Sequence, residues 1–356
     1  TRRTPSQTLT AGVPLEVELR DLDPATRYFY RVRTRDGATG DFAAGELYSF
    51  ETARRSGSSF SFALQGDSHP ERAGTMYSAD LYRRTMTRVA AEHPDLYFTL
   101  GDDFSIERLI SSQQLSQPAV DRVYADQREF LGQIGRGTPL FLVNGNHEEA
   151  ARFLLDGTPT SASVLAARAR NAMYPLPAPG GFYTGDEEQV EHVGLLRDYY
   201  AFTWGDALFV VLDPYWYTTT KPGKKVADGW GWTLGETQYH WFEETLRGRG
   251  RHLDAVARLG PVPHPRGEIR AGRDRDVDHE SVLGHRLGQP RVGGHALHLE
   301  DHESAARGPW SAGDLLERLS RRGYEAVGCA DHLLHFLGAE HHRHNAITAI
   351  KYICRT

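Results

Sequence analysis

Three short segments of this chain combine residue types that bind metal ions, and each directly follows an apolar run. The segments are Gly66-Asp67-Ser68-His69, Gly101-Asp102-Asp103 and Gly145-Asn146-His147-Glu148. Hard and borderline divalent cations prefer such mixtures of carboxylate, amide and imidazole ligands. A pair of such cations can neutralise phosphoryl oxygens and activate a bound water, so the residue types point to metal-assisted hydrolysis.

The apolar runs predict short, buried, parallel strands at residues 60–64, 96–100 and 140–143. A glycine after such a strand lets the backbone turn sharply, so that the next polar side chain points from the carboxyl edge of the sheet. Between the runs, residues 77–92 and 119–134 carry apolar side chains at helical spacing. The pattern therefore predicts β-α-β units that bring the three segments to one edge.

Each segment alone is weak support for a site, because an isolated Gly-Asp or Asn-Gly-Asn sequence is most often a turn. Three of them occur in order, each after a strand pattern and separated by segments of helix length. Their joint occurrence favours a shared metal site over three unrelated turns.

The order Asp-x-His, Gly-Asp, Gly-Asn-His-Glu resembles the calcineurin-like metallophosphoesterase superfamily, nearest its purple-acid-phosphatase-like branch. The resemblance extends through about residue 245. It implies an α/β fold, a four-layer α/β/β/α sandwich, and hydrolysis of phosphate esters at a binuclear metal site. It also favours a secreted or periplasmic location.

The same resemblance implies a role for each matched residue. Asp67 and His69 would bind the first metal ion, Asp102 would bridge the two ions, and Asn146 would bind the second. His147 would face the substrate and either bind a phosphoryl oxygen or protonate the leaving group. Asp102 and His147 are thus the predicted catalytic residues.

The residues flanking these positions refine the expectation. Glu148 would orient neighbouring ligands, whereas Asp103 could be either an acceptor behind the site or a helix or turn cap. Purple acid phosphatases have a tyrosine ligand shortly after the bridging aspartate, but Phe104 follows here, so a coloured ferric site is not expected. The cofactors would be two divalent metal ions, with Mn, Zn, Fe and Co all compatible.

Two further histidine ligands are expected in the last third of the chain. His264 is the best match to the first, and His332 to the second, although Ala330 occupies a position where the family has a metal-binding histidine. A competing pair is His342 and His344, whose His-x-His spacing lets both imidazoles point to one side of a strand. An exposed histidine-rich tail is equally compatible with that pair.

The stretch from residue 243 to 309 contains no Phe, Tyr or Trp, although aromatic residues make up 10% of the chain. Its composition predicts no sheet core. It could be a flexible insertion, or residues 247–323 could come from a displaced reading frame. The second hypothesis is favoured because the resemblance recovers near Tyr324.

Residues 1–55 are predicted to form a separate all-β region, and residues 60–356 the metallophosphoesterase domain. Apolar residues alternate at 15–19, 28–33 and 47–50. The pattern is similar to the later half of a fibronectin type III-like sandwich. A small accessory hairpin layer is the alternative.

Residues 150–198 are rich in proline and glycine and predict a long loop over the site. Residues 199–213 predict a hairpin that opens a second sheet. Four tryptophans follow, and packing against that sheet is favoured over lining a pocket; they are Trp216, Trp230, Trp232 and Trp241.

The net charge of the 356-residue chain is −6, which indicates no general nucleic-acid or anionic-membrane surface. No apolar run approaches the roughly 18 residues of a membrane span, and no signal-peptide core is present in this chain. Cys329 and Cys354 could form a disulfide or remain free thiols. The expected partner is a small phosphorylated substrate; the oligomeric state is not indicated.

Metal-dependent phosphoester hydrolysis is therefore the predicted activity. A phosphodiesterase or nucleotidase of the same fold is one alternative, because loops rather than metal ligands recognise the leaving group. A phosphoesterase-like protein that binds a ligand without hydrolysing it is another.

Overall fold

A computed structural model describes residues 2–219 and 234–248, together with the strand pairing of 255–259 and 350–354. The strands are β1 (Arg27–Tyr30), β2 (Arg33–Thr34), β3 (Ala43–Ala44), β4 (Tyr48–Glu51), β5 (Phe60–Gln65), β6 (Leu96–Thr99), β7 (Leu140–Leu142), β8 (Thr184–Gly185), β9 (Gln189–Val190), β10 (Gly194–Leu195), β11 (Tyr200–Trp204), β12 (Ala207–Val211), β13 (Ala255–Leu259) and β14 (Ile350–Cys354). The helices are α1 (Ala79–Ala91), α2 (Glu107–Ser111), α3 (Gln117–Gly135), α4 (Ala162–Met173) and α5 (Glu236–Gly248). None of these helices is both long and apolar enough to cross a membrane.

The first sheet has the strand order β14-β5-β6-β7. Strands β5, β6 and β7 run parallel, with Phe62 opposite Leu96 and Tyr97 opposite Leu140. The prediction of three parallel strands is thereby confirmed. Strand β14 pairs antiparallel with β5, an edge pairing that the sequence patterns did not predict.

Helices α1, α3 and α4 bury one face of this sheet. Tyr97 and Leu142 of the sheet pack with Met86 of α1, Leu131 of α3 and Ala169 of α4. Helix α1 begins where the Ser78 hydroxyl accepts the amide of the first turn, which satisfies an otherwise unpaired donor. Helices α1 and α3 match the helices predicted at 77–92 and 119–134.

The second sheet has the order β13-β12-β11-β8. The predicted hairpin is confirmed by antiparallel pairing of β11 with β12, with Trp204 opposite Ala207 at its turn. Strand β13 pairs parallel with β12 and lies inside the aromatic-free stretch, so the prediction of no sheet core there is wrong for residues 255–259. A parallel strand can be built from aliphatic residues such as Ala, Val and Leu, and it does not require aromatic ones.

The two sheets pack through an aromatic cluster. Phe141 and Phe202 stack at 4.6 Å between ring centroids, and Phe98 and Phe209 stack at 5.5 Å. The other face of the second sheet buries Leu208 and Val210 against Phe242 and Leu246 of α5. Among the described side chains, those of β5, β6, β7, β11 and β12 pack on both faces of their strands.

The prediction that residues 150–198 form only a loop is wrong, because helix α4 lies within them. Helix α4 is buried almost along its whole length and packs in the same cluster as α1 and α3. Its sequence is rich in alanine, which favours helix and permits close packing. Proline and glycine are concentrated after this helix and concealed it in the sequence pattern.

Packing of a tryptophan against the second sheet, as favoured from the sequence, is found for Trp241, which packs with Leu208 and Val210. Trp216 is buried in a cluster with Tyr199 and Tyr217, and the Trp241 ring lies 4.7 Å from that of Tyr199. Trp230 and Trp232 lie outside the described residues.

The N-terminal region forms two small ladders, β1 with β4 and β2 with β3. The strand predicted at 15–19 is absent, and its apolar side chains are exposed. Alternating residues form a strand only when a neighbouring chain supplies hydrogen-bond partners, and the described residues provide none there. The Tyr30 hydroxyl donates to the Arg136 carbonyl at the end of α3. The fibronectin-like identity of this region stays a prediction.

Two carboxyl groups, Asp186 and Asp198, are buried and interact electrostatically with each other. Burial raises the pKa of both, and the negative charges of Asp213 and Asp186 raise the pKa of Asp198 further. Two carboxylates in contact cannot both ionise at low cost, so the pair retains a proton in the folded state.

This pair predicts a pH-dependent stability change in Asp198→Asn. The pKa of Asp198 is higher in the folded state than in the unfolded state. Its contribution to folding stability is therefore complete below the unfolded-state pKa of about 4. That contribution is lost as pH rises through the pKa of Asp198 in the folded state. Asparagine donates to Asp186 without needing a proton, so we expect the melting temperature to rise by about 2 °C or more at pH 8 and by less at pH 5. Thermal denaturation followed by circular dichroism measures this; an equal change at both pH values, or a decrease, would contradict it. Exposed Asp126→Asn is the matched control.

Candidate metal centre

Loops that follow the carboxyl ends of β5, β6 and β7 form the candidate site. Their main chains are joined, since the Asp67 amide donates to the Gly101 carbonyl and the His69 amide donates to the Asp102 carbonyl. Asp67, His69 and Asp102 all adopt left-handed backbone, with φ of 56°, 45° and 59°. Such conformations cost about 1–3 kcal/mol each for non-glycine residues and are concentrated at functional sites.

Two glycines allow the second and third loops to touch. A side-chain carbon on Gly101, whose φ is 102°, would collide with the Gly145 backbone and lie 2.8 Å from the Asn144 carbonyl carbon. One on Gly145 would lie 2.5 Å from the Asp102 nitrogen. Only glycine at both positions permits this approach.

Three donor atoms from the three loops converge at this edge. His69 Nε2 lies 3.8 Å and His147 Nε2 lies 3.9 Å from Asp102 Oδ2, and the three residues offer ligand atoms within 4.8 Å of one another. Two ligands each about 2.1 Å from one ion are separated by at most about 4.2 Å. The spacing and the nitrogen and oxygen chemistry therefore fit a divalent cation after a small adjustment.

The electrostatics also favour a cation. Burial, reinforced by the negative charge of Glu148, raises the pKa of Asp102 to about 8. Although burial opposes it, hydrogen bonds to Asp67 and Glu71 raise the pKa of His69 to about 9. The cluster thus has more carboxylate charge than it can neutralise without a proton or a metal ion, and a metal ion would displace the proton.

Glu148 fastens the second loop to the third. Its carboxylate accepts the backbone amides of Asp102, Asp103, Phe104 and Gly145 at distances of 2.6–3.1 Å. The residue is 1% exposed. These four hydrogen bonds join the Asp102 loop to the Gly145 loop, and one of them is to the Asp102 amide itself. The orienting role that the resemblance implies for Glu148 stays a prediction.

Asp103 is a buried acceptor behind the site. Its carboxylate accepts from the Gln65 side chain, and Gln127 of α3 donates to both the Asp103 carbonyl and the Ser68 hydroxyl. Burial raises the pKa of Asp103 to about 7. Of the two alternatives left open for Asp103, the structure supports the acceptor.

Glu71 and Glu107 contact the imidazoles from the outside, and sequence reasoning missed both. Glu71 Oε1 lies 2.9 Å from His69 Nδ1, and Glu107 Oε2 lies 2.8 Å from His147 Nδ1. A proton on His69 Nδ1, held by the hydrogen bond to Glu71, leaves Nε2 of that ring free to bind a metal ion. The only signal in the sequence was a glutamate shortly after each of the first two motifs.

The contact with Glu71 predicts weaker metal binding in Glu71→Gln. Glutamine has nearly the same shape but removes the charge that orients His69, so we expect divalent-metal affinity to fall about 10-fold or more. Isothermal titration calorimetry with Mn²⁺ or Zn²⁺ measures this. Glu129→Gln, at an exposed glutamate paired with Arg83, is the control; equal affinities in both variants would contradict the orienting role.

Asn144 and Asp213 form another contact that the sequence did not reveal. The Asn144 side chain donates to Asp213 Oδ2 at 2.5 Å, and both residues are buried. Burial raises the pKa of Asp213 to about 6, and its hydrogen bonds, first that from Asn144, oppose this rise. Asp213 follows β12, so this contact ties the third loop to the second sheet.

The structure brings together Asp67, His69, Asp102 and His147. Asp67 Oδ1 is 3.5 Å from His69 Nε2, and its side chain is 55% exposed. His147, predicted to face the substrate, directs Nε2 toward the same point as His69. Asn146 is exposed beside His147. His264, His332, His342 and His344 lie outside the described residues.

Comparisons with known proteins yield remote structural similarities, and two of them are to phosphatases. Purple acid phosphatase PPD1 from seeds of yellow lupin (Lupinus luteus) matches with 18% identity and a TM-score of 0.42, over 68% of this chain and 38% of that one. A dimetal phosphatase from Danio rerio matches with 16% identity and a TM-score of 0.34, over 57% of this chain and 70% of that one. No family model matches, and no curated protein has a significantly similar sequence. At these TM-scores neither structure assigns a fold or an activity to this chain.

Proposed function

We propose that this protein is a metal-dependent phosphoester hydrolase with a binuclear metal site. The observation that carries the proposal is the convergence of His69, Asp102 and His147 donor atoms at the carboxyl ends of three parallel strands. Ligands at this edge of an α/β sheet come from loops that a rigid scaffold holds in place. The proposed fold is the four-layer α/β/β/α sandwich.

Asp67 and His69 are the proposed ligands of one metal ion, Asp102 the bridge, and Asn146 a ligand of the other. His264 and His332 are proposed to complete the two coordination shells. When bound, the two ions would supply positive charge for the phosphoryl oxygens and lower the pKa of a water molecule. Mn, Zn, Fe and Co all suit this set of ligands.

His147 is the proposed acid for the leaving group. Its ring stacks edge-on against that of His69, with 4.8 Å between centroids, and its Nδ1 contacts Glu107. His147 Nε2 lies 3.9 Å from Asp102 Oδ2, a position from which the ring could donate a proton to a departing alkoxide. If His147 instead binds a metal ion, as the shared direction of the Nε2 atoms allows, its substitution will lower metal content as well as rate.

The experiment that tests the proposal measures metal content and ester hydrolysis on the same preparation. We expect two metal ions per chain by inductively coupled plasma mass spectrometry, and turnover of p-nitrophenyl phosphate or bis-p-nitrophenyl phosphate that is lost on chelation and restored by metal. The relative rates on the two esters distinguish a monoesterase from a diesterase or nucleotidase. Failure to turn over either ester with metal bound would reject the proposal.

A phosphoesterase-like binding protein is the second candidate. It is favoured by the position of His264 in the aromatic-free stretch and by Ala330, which occupies a position where the family has a metal-binding histidine. Fewer than two metal ions per chain, together with saturable binding of a phosphate ester and no turnover, would support it.

A further inference from the structure

An open groove of about 500 Å³ lies next to the candidate metal centre. Glu71 and Arg72, in the turn after His69, line it together with α2 residues; those are Glu107, Arg108, Ile110 and Ser111. Binding sites for small molecules commonly have volumes of about 300–1,000 Å³. The groove is therefore large enough for the non-phosphoryl part of a small ester.

The groove adjoins the outer edges of both site imidazoles. Glu71 contacts His69 at Nδ1, and Glu107 contacts His147 at Nδ1, while both Nε2 atoms face Asp102. A substrate whose phosphoryl group lies at Asp102 can thus extend past an imidazole into the groove. This is where the leaving group of the proposed reaction would lie.

The charged side chains that line the groove restrict which ligands it can bind. Glu71 already contacts His69 and Arg72, the latter at 3.3 Å, and Glu107 contacts His147. Arg108 adds an exposed guanidinium group, a fork that matches carboxylate or phosphate oxygens.

Two other residues that line the groove limit how much negative charge a bound ligand can carry. Glu149 also lines the groove and repels a ligand that is negative along its whole length. Ile110, 36% exposed, offers apolar surface. The combination suits an apolar or neutral stem that ends in a single anionic group.

We propose, building on phosphoester hydrolysis as the proposed function, that this groove binds the leaving group and that Arg72 and Arg108 favour esters whose leaving group carries a second anion. The chemical class is a phosphate ester of a hydroxy acid or of a second phosphate. The two arginines are specificity-determining residues in this assignment.

A matched pair of esters tests this assignment. 4-Carboxyphenyl phosphate and 4-carbamoylphenyl phosphate have similar size but differ in the charge of the leaving group. We expect the wild-type protein to have the higher kcat/KM for the carboxyl ester. Arg108→Ala and Arg72→Ala should each lower the ratio of the two kcat/KM values by about 2- to 5-fold, the range for exposed ion pairs. Arg108→Lys should retain part of the preference.

A control and a second substrate pair make the outcomes separable. Arg122→Ala removes an exposed arginine of α3 outside the groove and should leave the ratio at its wild-type value. Glycerol 1,3-bisphosphate compared with glycerol 1-phosphate shows whether the second anion is a phosphate. Turnover of both aryl esters with the same ratio in wild type, Arg72→Ala and Arg108→Ala would overturn the inference and leave the proposed function intact. No turnover of either aryl ester would reject the proposed function itself.

Discussion

Asn in place of Asp102 is expected to eliminate metal binding at this centre and, with it, phosphoester hydrolysis. Asparagine can still accept the His147 amide, as Asp102 Oδ1 does at 3.0 Å, so the loop should keep its shape while the charge is lost. Residues that only orient metal ligands contribute about 10- to 100-fold in affinity or activity, so loss of a ligand should cost more than about 100-fold. Calorimetric metal titration and hydrolysis of p-nitrophenyl phosphate measure the two effects.

Although Asp102→Asn should lose metal binding, the same substitution should raise the stability of the metal-free protein. The pKa of Asp102 is raised to about 8, mainly by burial, so its ionisation destabilises the folded state as pH rises through that value. At pH 8.5 the metal-free Asp102→Asn protein should therefore melt above the metal-free wild type. Metal at about 100 times its dissociation constant should stabilise the wild type by about 2.7 kcal/mol but not the variant. Asp126→Asn is the control, and equal metal-induced shifts in Asp102→Asn and wild type would show that Asp102 is not a ligand.

Gly101→Ala is expected to have the largest effect on stability. The added carbon would collide with the Gly145 backbone, which no side-chain rotation can relieve, and φ at residue 101 lies in the left-handed region. Backbone strain and overpacking each cost about 1–3 kcal/mol, so we expect the free energy of unfolding to fall by about 3 kcal/mol or more. Urea denaturation followed by fluorescence measures it.

Gly132→Ala is the matched control for Gly101→Ala. Gly132 lies inside α3, and a side-chain carbon there meets no atom within 4 Å. Alanine in a helix interior is favoured over glycine by about 0.5–1 kcal/mol, so this variant should be slightly stabilised. If Gly101→Ala unfolded at the same urea concentration as Gly132→Ala, close contact of the two loops would not be required for folding.

The three parallel strands, helices α1 and α3, and the β11–β12 hairpin follow from the amino-acid sequence alone. These elements were predictable because their signals are local: apolar runs of strand length, helical spacing of apolar residues, and polar residues after a strand. The same local logic placed Asp67, His69, Asp102 and His147 at one edge of a sheet. Their roles as ligand or acid remain predictions.

Predictions from local sequence patterns were wrong where contacts with distant residues determine the secondary structure. Residues 15–19 alternate like a strand but have no described neighbour to pair with, whereas residues 255–259 form a strand because β12 pairs with them. Helix α4 lies in a segment that its surrounding prolines and glycines made look like a loop.

The groups that surround the donor atoms are brought there by contacts between loops that are distant along the chain. The contact of Gly101 with Gly145, the four amides bound by Glu148, and the Asn144–Asp213 hydrogen bond each join residues from different loops. Such contacts depend on how the loops pack together in three dimensions, which no spacing along the chain encodes. The sequence therefore specified the candidate ligands, and packing between loops specified their geometry and their pKa values.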